Sequence, residues 1–88
     1  MEHLADMTIS INDLLERLES IFLDTFSGDH YEFSLETTQR DIGEWDSLNQ
    51  IRLLTAIEQE FGFRFDMGDV ESLKDVSAIV DGIRTKIA

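Results

Sequence analysis

The stretch GEWDSLNQIRLLTAIEQEFGF, residues 43–63, decides how the rest of the chain is read. Asp46 stands where a helix N-cap stands, with a carboxylate able to accept from the Asn49 N–H. The spacing predicts a helix from Ser47 to Phe61, closed by Gly62, which suits a C-terminal cap. Stepping about 100° per residue gathers Leu54, Ile57 and Phe61 on one side as the core stripe. Leu48 and Thr55 point away from that stripe, with Arg52 and Gln59 beside them. An apolar spot at Leu48, ringed by polar residues, has the character of a docking surface.

Ser47 has two readings on the residues alone. One is a plain helix-start residue, since Ser and Asp often cap helices. The other is a serine that a second enzyme modifies. A helix N-terminus welcomes an anionic phosphate ester, through its free N–H groups and its dipole. With Asp46 as the cap, the Ser47 hydroxyl is left to point outward. A self-activated nucleophile does not fit. No base adjoins Ser47, no G-x-S-x-G elbow is present, and His3 and His30 lie far along the chain.

Working outward, a first helix is expected from about Ser10 to Phe26, with Ile11, Leu14, Leu15, Leu18, Phe22 and Phe26 at helical spacing. Ser10 and Asp13 resemble a capping box there. A long loop follows, about twenty residues, and ordered loops of that length are often functional. Tyr31, Phe33, Leu35 and Ile42 are expected to anchor it to the core, and Trp45 is read as a core or lid residue. After the second helix come Phe63 and Phe65, expected in the core with Phe61. A cap at Asp66 and a short helical turn around Asp69–Ser72 follow, with Val70 and Leu73 facing in. A last helix from near Asp75 to Ile87 turns Val76, Ile79, Val80, Ile83 and Ile87 inward. The expectation is an all-α bundle of three main helices plus one short helix.

The chain has 88 residues and a formal net charge of −12, with 19 acidic residues against 7 basic. Its size allows one domain, residues 1–88, with 1–8 as a flexible tail. Such a charge repels nucleic acid and anionic membrane surfaces, and favours basic patches on other proteins. Cysteine is absent, which excludes disulfides and thiolate chemistry by the chain itself. No signal peptide and no membrane-spanning run are seen, so the expected location is the cytoplasm. Asp66, Asp69, Glu71 and Asp75 suggest a cation loop, but the spacing does not fit an EF-hand. A small acidic, non-enzymatic protein-binding module, with or without a cation response, is nonetheless the alternative function.

The segment DIGEWDSLNQIRLLTAIEQEFGF resembles the acyl carrier protein family. The resemblance rests on Ile42-Gly43, on Asp46-Ser47-Leu48 and on Glu58-Gln59-Glu60-Phe61, in register with four helical segments. It implies an acyl-carrier-like bundle that is not an enzyme but serves other enzymes. It implies a 4′-phosphopantetheine arm, taken from coenzyme A, on Ser47, with Asp46 and Leu48 contacting the transferase. The arm's thiol explains how a cysteine-free chain could carry thioesters. The resemblance further implies a monomer whose second helix docks on basic patches of acyl-loading and condensing enzymes, here through Asn49, Ile51, Arg52, Thr55 and Gln59. A cavity able to shelter an acyl chain is expected near Leu54, Val70 and Ile79. The second helix departs from carriers of housekeeping fatty acid synthesis: two carboxylates against Arg52 leave it at net −1. With Trp45 before the Asp-Ser-Leu unit, this resembles stand-alone carriers of polyketide or other secondary-metabolite pathways.

Overall fold

In the computed structural model, which describes residues 10–28 and 30–87, the order is α1 (Ile11–Thr25), α2 (Ser47–Phe61), α3 (Met67–Val70) and α4 (Val76–Ile87). The expected tail, residues 1–8, lies outside the described residues, as do His3 and Asp29. Three long helices and one short one form the expected all-α bundle.

Each helix starts where a short polar side chain can take up a free N–H group. The Ser10 hydroxyl accepts from the Asp13 N–H at 3.1 Å. The Asp75 carboxylate accepts from the Ala78 N–H at 2.7 Å and so opens α4. α3 begins at Met67, two residues earlier than the turn expected at Asp69–Ser72. Asp66 is its cap, and the Asp69 carboxylate accepts back from the Asp66 N–H at 3.3 Å, which draws the helix start toward Asp66. The turn continues past α3 through the Ser72 N–H, which donates to the Asp69 carbonyl at 3.0 Å.

Leu14, Leu18, Phe22 and Phe26 of α1 and its C-terminal edge meet Leu53, Leu54 and Ile57 of α2 and Val76, Ile79, Val80 and Ile83 of α4 in one core. Fully burying a Leu, Ile, Val or Phe side chain contributes about 1.5–3 kcal/mol, so these facing stripes carry the bundle. α1 packs most closely on α2. Arg17, midway along α1, reaches the C-terminal end of α2, pairing with Glu60 at 3.4 Å and lying over the Phe61 ring at 5.5 Å. Phe65 is buried, while Phe61 and Phe63 are half-buried against the same core. Ile11, at the edge of the α1 stripe, is exposed.

The long loop is held from both ends. Ile42 and Trp45 are buried, and Tyr31 and Phe33 pack against the core as expected. Leu35 does not: it is exposed. It falls in a tight turn whose bonds run from the Ser34 N–H to Thr37 Oγ1 and from the Thr37 hydroxyl to the Glu32 carbonyl. The buried Thr37 faces inward and turns Leu35 to solvent. An isolated antiparallel bridge, Thr38 with Asp75, ties the loop to the start of α4.

Candidate functional site

Ser47 is the first residue of α2, and it is exposed. Capping falls to its neighbour: Asp46 Oδ1 accepts from the Asn49 N–H at 2.9 Å, and the Asp46 carbonyl accepts from the Gln50 N–H at 2.8 Å. The first turn of α2 holds no acidic residue of its own; the Asp46 carboxylate at the cap meets the positive end of the helix dipole. The Ser47 hydroxyl stands exposed at the helix start without being needed as a cap. That geometry fits a phosphodiester-linked arm.

The segment leading into Ser47 is braced from below. Trp45 is 3% exposed and stacks edge-on against Phe22 at 5.2 Å and, tilted, against Phe26 at 5.8 Å. Its indole N–H donates to the side-chain oxygen of Gln50. Asn49 Nδ2 donates to the Glu44 carbonyl at 2.7 Å. The turn before the serine is thus held by two side chains of the helix that follows it.

The residues expected to dock partners fall in two groups. Leu48 is 69% exposed and Ile51 is 61% exposed, one turn apart, with Arg52, Thr55 and Gln59 also exposed along α2. Thr55 and Gln59 line an open groove with Glu58, Gly62, Phe63 and Arg64. Asn49, by contrast, is half-buried: its amide holds Glu44, and its oxygen accepts from Arg52 Nη1 at 3.3 Å. It orients Arg52 rather than standing free on the face.

Gln50 was not anticipated. It is 6% exposed, and its Nε2 donates to the Val70 carbonyl at 3.0 Å and to the Leu73 carbonyl at 2.9 Å. A polar residue one turn before Leu54, on the stripe side of the helix, was the available signal. Of the residues expected to frame an acyl cavity, Leu54 and Ile79 are buried in the continuous core and Val70 packs partly against it. Among the described residues, no group of three or more His, Asp or Glu is placed to hold a metal ion.

Residues 16–83 match the family described as "Phosphopantetheine attachment site". The chain is similar to an acyl carrier protein of Thermosynechococcus vestitus, 31% identical over 77 residues, which spans 88% of this chain and 95% of that protein. It is also similar to an acyl carrier protein of Petrotoga mobilis, 32% identical over 76 residues, 86% of this chain and 89% of that protein. A third, from Coprothermobacter proteolyticus, is 28% identical over 74 residues, 84% of this chain and 90% of that protein. No solved structure matches. An all-α bundle with an outward serine at a helix N-terminus is the architecture of a prosthetic-group carrier. The chain belongs to the phosphopantetheine-attachment family of acyl carrier proteins, whose cofactor is a covalent 4′-phosphopantetheine.

Proposed function

We propose that Ser47 carries the 4′-phosphopantetheine arm and that this carrier serves a specialised pathway, polyketide or other secondary-metabolite or lipid synthesis. The observation that carries the first part is the exposed Ser47 at the head of α2, with capping assigned to Asp46. The arm supplies a thiol that holds an acyl group as a thioester. The chain's own residues hold the attachment point: Asp46 caps the start of α2, and Trp45 and Asn49 brace the approach to it.

The pathway reading is supported by the exposed side of α2. Leu48, Ile51, Arg52, Thr55 and Gln59 offer an apolar and neutral surface with one cation, while Glu32, Glu36, Asp41 and Asp46 are exposed in the preceding loop. A partner with an apolar patch beside a basic rim fits both: the patch meets Leu48 and Ile51, and the rim meets the loop carboxylates. Those partners are a phosphopantetheinyl transferase and the acyl-loading and condensing enzymes. The chain acts as a monomer in the cytoplasm. None of its described helices is long and apolar enough to cross a membrane.

The test is incubation with coenzyme A and a broad-specificity phosphopantetheinyl transferase, read by intact-protein mass spectrometry. The expected result is a gain of one phosphopantetheine, absent in Ser47→Ala. Wild-type protein that gains nothing would instead favour an acidic binding module without cargo. A Ser47→Ala protein that still gains the group would move the site elsewhere.

A further inference from the structure

Three hydrogen bonds converge on one buried amide beside the candidate attachment point. Gln50 Oε1 accepts from the Trp45 indole, in the loop before α2. Its Nε2 donates to the carbonyl of Val70, at the end of α3, and to that of Leu73, in the link to α4. Both amide hydrogens are therefore taken. Gln50 lies about one turn beyond Ser47 and one turn before Leu54, on the stripe that carries Leu53, Leu54 and Ile57 into the core. At the Ser47 end of the bundle, an amide bonded across to the α3–α4 segment closes the seam.

We infer that Gln50 is a specificity-determining residue that keeps cargo outside the bundle and suits the carrier to short or polar acyl groups. This rests on the reading of Ser47 as the attachment point. An apolar chain tethered at Ser47 gains free energy from each methylene it buries. A chain entering between α2 and the α3–α4 segment meets this amide, which spans the two. Entry there parts Gln50 from the Val70 and Leu73 carbonyls and disturbs its bond to Trp45. Those groups are then left unpaired in apolar surroundings, which is unfavourable for each of them. Short and medium-length acyl groups, up to an octanoyl chain, bury too few methylenes to offset the loss of all three bonds, and a polar group gains still less. Cargo of that kind is thus presented to partner enzymes at the surface.

The transferase is used to load wild-type protein with the plain arm, a butyryl arm and an octanoyl arm, each from the matching coenzyme A thioester. Loading is confirmed by mass. Methyl resonances of Leu54, Ile79 and Val80 are then compared by NMR. In wild type they should hold the same positions in all three forms. In Gln50→Ala, checked for folding by circular dichroism, the octanoyl form should shift them and the plain arm should not. Octanoyl-dependent shifts of these methyls in wild type would overturn the inference even if Gln50→Ala fails to fold. A mass gain with such shifts leaves the carrier reading standing and removes only the role of Gln50. A wild-type protein that gains no mass removes both.

Discussion

The indole N–H of Trp45 donates to Gln50 Oε1 five residues further on, and both residues are buried. This bond joins the loop that delivers Ser47 to the helix that begins with it. Gln50 passes the connection on to Val70 and Leu73. Trp45→Phe keeps most of the ring packing against Phe22 and Phe26 but removes the donor. It should cost about 1–2 kcal/mol, on the scale of an unpaired buried acceptor. In a domain of this size each kcal/mol lowers Tm by roughly 4–8 °C. Thermal unfolding followed by circular dichroism measures it, and an unchanged Tm would show that the bond adds nothing.

Ser47 and Asp46 should separate cleanly in stability. Ser47→Ala removes a hydroxyl not used as the cap, so its effect should stay within about 0.5 kcal/mol, as for surface changes away from special features. Asp46→Ala removes the acceptor of the Asn49 N–H and should cost about 1 kcal/mol. Urea midpoints of the two unmodified variants make the comparison. Equal losses would mean that Ser47 shares the cap.

Leu48 and Ile51 are exposed on α2, so truncating them should affect encounter with partners rather than folding. Leu48→Ala is expected to lower the transferase kcat/KM roughly tenfold, the scale of an interface anchor worth ~1.4 kcal/mol, with Tm unchanged. Full activity in Leu48→Ala would place docking elsewhere.

Gly62 closes α2 with φ 76° and psi 39°, in the left-handed region. Its N–H donates to the Glu58 carbonyl at 2.8 Å, and the Phe63 N–H reaches the same carbonyl at 3.3 Å. Nothing lies within 4 Å of where a Cβ would sit, so the cost of Gly62→Ala is conformational. It should be about 1 kcal/mol, read from the denaturant midpoint. No change would show that the chain reshapes the cap freely.

The net charge of −12 should make stability depend on salt. Raising ionic strength from about 0.01 to about 0.15 M shortens the screening length from ~30 to ~8 Å and weakens repulsion among exposed carboxylates. Tm should rise across that range. A flat profile would mean that the carboxylates are too dispersed to matter.

Much of this molecule was legible in its amino acids, because helix periodicity and capping are local. Leu14, Leu18, Phe22 and Phe26 declared α1, Asp46 and Gly62 bracketed α2, and Ser47 stood at the exposed start of α2. Periodicity failed where side-chain hydrogen bonds, some near and some distant along the chain, set a residue's place. Leu35 reads as an anchor but is turned outward by the Thr37 turn. The start of α3 moved because Asp69 bonds back to Asp66. Gln50 reads as one more polar residue of α2. Its two acceptors lie 20 and 23 residues away, and only the packing of α3 and α4 against α2 brings them within reach. An amide is stable inside an apolar core only where such partners converge on it, and that convergence belongs to the tertiary structure alone.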